Sequence, residues 1–171
     1  MARLVRAGKF IWNAVNTQYN SSRYDDRFIL KVSPLLWLVI FYSLRHFLLF
    51  LFVSLTKSAD LMSLVADVVD PRLMVSDTLA LLVLFAYLSR LGENPWPPFR
   101  RLWHGGKWLL VAATALNTLL LPLLLWEKIA ELDLLPLTLL ELNVVIMVYL
   151  VRSTLVRDIF ADFPAGAVKA P

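Results

Sequence analysis

Arg45, His46, Asp77, Asn117 and Glu141 are the residues of this chain best placed to do chemistry, because each interrupts an apolar run; Asn143 stands beside the last of them. A charged or strongly hydrogen-bonding group in hydrocarbon is costly, so such residues face a bundle interior or a wet cavity. Two kinds of role fit. One is a proton or ion path, or an anionic ligand held by Arg45. The other is a neutralised Arg–Glu pair that fixes helix register or joins a neighbouring subunit. The second is the preferred reading, since a single pair is common as packing glue. Its energetic weight lies in what happens when one partner is left alone.

Other chemistries lack their residues. Cysteine is absent, which removes disulfides, thiolate catalysis, iron–sulfur clusters and cysteine zinc sites together. His46 and His104 fall about half a membrane apart and cannot both ligate one metal or haem within a subunit. Ser33, Ser43, Ser54 and Ser153 have no histidine arrangement suited to a triad. No Asp/His cluster has hydrolytic metal spacing, and no glycine pattern cradles a phosphate. No catalytic residue, metal or cofactor is therefore expected.

The elements that must position the polar residues are membrane helices. Of 171 residues, 59% are hydrophobic and 18% charged, and the mean hydropathy is +0.67. That is too little charge to cover a water-soluble domain of this size. Four apolar segments stand out: Pro34 to about Leu55, about Leu73 to Leu91, about Lys107 to Trp126, and about Leu132 to Val151. Each approaches the roughly 20 residues that cross a hydrocarbon core of about 30 Å. Helices are the only reasonable spanning form here. The expected fold class is all-α, a polytopic membrane protein with four transmembrane helices and short amphipathic surface helices. The expected organisation is a cytoplasmic basic amphipathic segment over 1–33, the four-helix domain over 34–151, and a cytoplasmic tail over 152–171. No cleavable leader is expected, because the first apolar run is short and broken by Asn13.

Depth follows from the helical rise of about 1.5 Å per residue. Arg45 then lies roughly 16 Å and Asn117 roughly 15 Å from the cytoplasmic edge, and Glu141 roughly 14 Å from the outer edge. In a core of about 30 Å the three meet near the midplane. Asp77, at roughly 6 Å from the outer edge, is nearer water. Glu141 is thus the expected partner of Arg45, with Asp77 second. Pro34 suits a first helical turn, and Pro122 and Pro136 are placed to bend the third and fourth spans. Ala112, Ala113 and Ala115 permit close helix contact.

Orientation follows from the basic residues. Thirteen of the 17 Lys and Arg fall in the two tails and the middle loop, against three (Lys57, Arg72 and Lys128) in the other loops. This bias predicts that both termini and the middle loop are cytoplasmic. It also explains the net charge of +4 without nucleic acid. Residues 2–20 read as a cationic surface helix, or as an irregular basic tail. Ser58 to Val69, ahead of Pro71, reads as a short helix on the outer face, or as an ordinary loop. Gly92 to Gly106 is expected to be irregular, because Pro95, Pro97 and Pro98 oppose a helix. Its Trp96, Phe99 and Trp103, with Trp108, Arg100 and Arg101, suit lipid headgroups or the docking of a partner protein.

Two stretches carry a likeness to known proteins: YDDRFILKVSPLLWLVIFYSLRHFLLF, from Tyr24 to Phe50, and NPWPPFRRLWHGGKWLLVAA, from Asn94 to Ala113. With four apolar spans in a short chain, they resemble a family of uncharacterised inner-membrane proteins from gammaproteobacteria. Tyr24, Asp25, Leu30, Lys31, Pro34, Leu36, Trp37 and Arg45 match the first pattern. Where that pattern often has Pro and Trp after the arginine, this chain has His46 and Phe47. The resemblance covers most of residues 24–155 and implies a bacterial inner membrane but no reaction. The expected function is an accessory or structural subunit of a larger inner-membrane assembly, touching the lipid bilayer and other membrane-protein subunits. The alternative is a small transporter or ion-conducting homo-oligomer that uses the midplane polar layer.

Overall fold

The computed structural model describes residues 23–24, 30–57, 71–92, 96–131 and 134–163. The surface helices expected over 2–20 and 58–69 lie outside the described residues. The chain divides into two compact units, Met1–Val32 and Ser33–Pro171. In the first, Tyr24 and Leu30 form an isolated antiparallel bridge, and the Lys31 N–H donates to the Arg23 carbonyl at 2.8 Å.

The described part of the second unit is built of helices: α1 Pro34–Ser43, α2 Arg45–Thr56, α3 Met74–Leu91, α4 Pro97–Leu124, α5 Trp126–Ala130, α6 Leu134–Arg152 and α7 Thr154–Ala161. The start of α1 is encoded locally. Ser33 Oγ accepts from the Leu36 N–H at 3.2 Å, and Pro34 occupies the first turn, where no N–H is needed.

The first apolar run is not one straight rod. It bends by 68° between α1 and α2. Neither proline nor glycine lies at the break. Instead the backbone leaves the helix at Leu44, with φ −97°, ψ 7°, and Ser43 Oγ donates to the Val39 carbonyl at 2.8 Å in the turn before it. Side chains collect the backbone groups that the bend releases. Arg45 Nη1 donates to the Tyr42 carbonyl at 3.1 Å, and the Phe47 N–H donates to Asp77 Oδ2 at 2.8 Å. Three helices (α3, α4 and α6) are long and apolar enough to cross a membrane, and α1 with α2 makes a fourth if the pair is one span.

The expected irregular loop before the third span is also corrected. α4 begins at Pro97 rather than Lys107 and runs for 28 residues. Pro97 and Pro98 fall in its first turn, where their missing N–H groups cost nothing and their fixed φ suits a helix. Proline here starts a helix rather than preventing one.

α4 is the central element, touching α1, α3, α5, α6 and α7. Its inward stripe of Trp103, Gly106, Leu110, Ala113, Asn117 and Leu121 recurs every three or four residues, as one helix face must. Against it α3 buries Ser76, Asp77, Ala80, Val83, Ala86 and Arg90. The small Ala80, Ala86 and Ala113 allow the two backbones to approach; Ala112 faces outward and Ala115 is half-buried. The outer faces carry Leu82, Phe85, Leu119 and Val145, the pattern of helices that meet lipid rather than water. Pro122 lies just before the end of α4, and Pro136 is buried in the first turn of α6. Within the segment read as a tail, α7 is strongly amphipathic and buries Val156, Ile159 and Phe160. Ser153 caps it, accepting from the Val156 N–H at 3.2 Å.

Candidate functional site

The break between α1 and α2 organises a polar layer inside the bundle. Arg45, the first residue of α2, sends Nη2 to Asn117 Oδ1 of α4 at 2.6 Å, and its guanidinium lies 4.2 Å from the Tyr42 ring centroid. Asn117 Oδ1 also accepts from Asn143 Nδ2 of α6 at 3.1 Å, while Asn117 Nδ2 donates to Ser76 Oγ of α3 at 3.1 Å. The Tyr42 hydroxyl donates to Asn143 Oδ1 at 3.0 Å. Asn117 thus joins four helices through one amide.

His46 and Asp77 form the other half of the layer. His46 Nδ1 donates to Asp77 Oδ1 at 3.0 Å, with both side chains buried. Ser76 Oγ stands 3.3 Å from the same oxygen. Asp77 Oδ2 takes the Phe47 N–H, so a carboxylate from α3 caps the N-terminus of α2. Asp77 is therefore enclosed, not near water as its position along a straight span implied. The expected order of partners also fails. Among the described residues Arg45 makes no ion pair, and neither Glu141 nor Asp77 is its hydrogen-bond acceptor.

Glu141 stands apart from this layer, exposed on α6. The reason is angular. Residues on a helix turn by about 100° each, so Glu141 and Asn143 lie about 200° apart and cannot share a face. Asn143 is buried, so Glu141 must point away. Depth along the helix was legible, but the choice of face followed from a neighbour two residues on. Tyr42, Ser76 and Asn143 are hydrogen-bonded members of the layer that depth alone did not select. Their signal was adjacency: Ser76 precedes Asp77, and Tyr42 lies one turn before Arg45.

The residues assigned to headgroups or a partner divide. Trp96 is exposed, with Phe99 half-buried beside it at 5.5 Å between ring centroids; Arg100 and Arg101 are exposed. Trp103 is wholly buried and cannot meet a headgroup or a partner. Its Nε1 donates to the Ile159 and Asp162 carbonyls at 3.0 and 3.1 Å, and its ring packs 4.7 Å from that of Phe160. His104 Nδ1 donates to the Phe160 carbonyl at 3.0 Å. The Arg90 guanidinium lies 4.8 Å over the Trp103 ring, with Nη2 3.5 Å from Asp162 Oδ2. Gly106 makes the fit possible, because a Cβ there would stand 2.5 Å from the Phe160 ring. These contacts clamp α7 onto α4.

Chemically, the layer contains one guanidinium, one carboxylate and one imidazole, with bonds among themselves and to neutral amides and hydroxyls. The cleft bounded by Tyr42, Arg45, Ser76, Thr114, Asn117 and Asn143 is too narrow for a water molecule. The His46–Asp77 pair can hold and exchange a proton, whereas an anion on Arg45 would have to displace Asn117.

No curated protein and no solved structure matches the chain. The family model described as "Protein of unknown function (DUF2919)" matches residues 19–162, a stretch that takes in α1 to α7 of the described residues, and the chain belongs to that family.

Proposed function

We propose that the protein is an accessory or structural subunit of a larger bacterial inner-membrane assembly. The observation that carries this reading is Glu141, a carboxyl seven residues inside an apolar helix and turned away from its own bundle. Such a group calls for a partner in the membrane. The tightly closed polar layer adds support, since a solute carrier needs a wet passage. Extraction from native membranes in mild detergent, followed by mass measurement, tests the reading. The expected result is an assembly heavier than the single 19.5 kDa chain. A monodisperse monomer in native lipid sinks it.

The same reading has four crossings, with α1 and α2 as a bent first one, and both termini in the cytoplasm. Thirteen basic residues against three support that orientation, and the resemblance to gammaproteobacterial inner-membrane proteins supports the location. Single cysteines near Ser21 and Ser63 should label from opposite sides. Labelling of the Ser21 position from outside intact cells overturns the orientation.

A transporter is the second reading, favoured by the break itself. Carriers place discontinuous helix ends and polar side chains near the midplane, and Arg45, His46 and the Phe47 N–H occupy such an end. Purified protein in liposomes would then pass protons or solute, with Asp77→Asn abolishing the flux. Vesicles that stay sealed leave the subunit reading alone.

A further inference from the structure

α3, α4 and α6 each carry a basic residue at the same end of the bundle, and the fold treats the three differently. Arg90, near the end of α3, is buried and lies against Asp162. Lys107 of α4 is half-buried, and Arg152, the last residue of α6, is exposed. These two stand together, because Lys107 Nζ donates to the Val151 carbonyl at 3.1 Å, one residue before Arg152. The exposed Arg100 and Arg101 lie about 10 Å further out along α4. Carboxylates at this end are already engaged, Asp162 with Arg90 and Asp158 with Arg157. Among the described residues, no carboxylate pairs with Lys107, Arg152, Arg100 or Arg101.

The depth of the pair says what meets it. Lys107 to Leu124 measures about 27 Å, and Leu134 to Val151 the same, close to a hydrocarbon core of about 30 Å. Lys107 and Arg152 therefore mark one edge of that core on two neighbouring helices. Arg101, Trp108, Ala112, Leu119 and Leu123 form one exposed stripe on α4, at steps of seven and four residues. Its order is cation, aromatic, then apolar, which is the order of a lipid leaflet from headgroup to acyl chain. On α6 the exposed Val145, Val148 and Val151 lead to Arg152 in the same way. Trp108 is 62% exposed, and its ring centroid lies 5.3 Å from Lys107 Nζ.

This continuity selects the occupant. Two cations at one depth on adjacent helices suit a single shared anion. Every phospholipid carries its phosphate at the core edge, whereas a protein would have to bring a carboxylate to that one level. Four cations without a carboxylate also favour a headgroup of net negative charge, because a zwitterionic lipid brings an amine of its own. We propose that the α4–α6 seam holds an anionic phospholipid, its phosphate shared by Lys107 and Arg152 beside Trp108, its acyl chains on the apolar faces below. This goes beyond the role of a subunit and rests on α4 and α6 crossing the bilayer.

The test places the full chain in nanodiscs of equal parts phosphatidylglycerol and phosphatidylcholine, then releases it into mild detergent for native mass measurement. The wild type should retain one phosphatidylglycerol in preference to phosphatidylcholine. Arg152→Gln, at an exposed position that leaves the fold intact, should cut that preference about fivefold. Lys107→Gln, which keeps a donor for the Val151 carbonyl, should cut it by a similar factor, and Arg152→Lys should keep it. Lys57→Gln, beyond the far end of α2, should change nothing. Equal retention of both lipids by the wild type overturns the site. So does an unchanged preference when Lys107 and Arg152 are both replaced, or an equal loss in Lys57→Gln. A protein retained on these two cations in place of lipid overturns it as well. Each of these failures leaves the subunit reading standing, since the mass of the native assembly tests that separately.

Discussion

The two polar clusters make most of their contacts between helices in different ways. At the helix break, side chains bond to side chains of other helices: Arg45 to Asn117, Asn117 to Ser76, Asn143 to Asn117 and His46 to Asp77. At the α7 clamp, Trp103 and His104 bond instead to the carbonyls of Ile159, Phe160 and Asp162. Carbonyls in the last turn of a helix lack partners within it, so two side chains of α4 can close the end of α7 whatever its side chains are. The layer depends on the identity of each partner. The clamp depends on a short helix lying in one place.

The clamp should break most visibly. Trp103→Ala removes a fully buried indole and both of its bonds to α7, for a loss of about 3–5 kcal/mol. Limited proteolysis should then cut near Ser153, a site that the wild type is expected to protect. Persistent protection of that segment would mean that α7 is held by something other than Trp103.

The layer should give a smaller and more specific response. Asp77→Ala strands His46 Nδ1 and the Phe47 N–H, at about 1–3 kcal/mol for a buried group left unpaired. Asp77→Asn keeps an acceptor and should lose less, as read from thermal unfolding in detergent. Equal losses would show that the charge, rather than the cap on α2, carries the effect.

The finest distinction lies within the layer. A double-mutant cycle on Arg45 and Asn117 should reveal coupling of about 0.6 kcal/mol, the average for polar contacts between membrane helices. The cycle on Arg45 and Glu141 should be additive within about 0.5 kcal/mol, as for independent sites. Coupling between Arg45 and Glu141 would instead bring the carboxylate of a neighbouring copy to the arginine.

Much of the fold was legible because periodicity and length act locally. The start at Ser33–Pro34 and the apolar runs of α3, α4 and α6 needed no tertiary information. In the site, the matched depths of Arg45 and Asn117 correspond to the 2.6 Å bond between them. Three features were hidden for separate reasons. The break at Leu44 has neither proline nor glycine, and the Phe47 N–H just beyond it is taken up by Asp77, about thirty positions away in the chain. Trp103 looked interfacial because its burying partner, α7, lay in a segment read as a tail. Pro97 and Pro98 looked like helix breakers because proline stops a helix in its middle and starts one at its end. Glu141 was different: counting two residues puts it and Asn143 on opposite faces, and the burial of Asn143 then turns it outward.

The bend at Leu44 has a consequence for the lipid. With ten residues in α1, twelve in α2 and a bend of 68° between them, the ends of the pair stand about 27 Å apart rather than the roughly 33 Å of a straight rod. The 28 residues of α4 measure about 42 Å. A bilayer crossed by both meets a short flank beside a long central post. Where the pair makes one crossing, lipid along the short flank would thin, at a fraction of a kcal/mol for each ångström of mismatch. A chain with that crossing is expected to gather in thin membrane, beside neighbours that thin the bilayer in the same way.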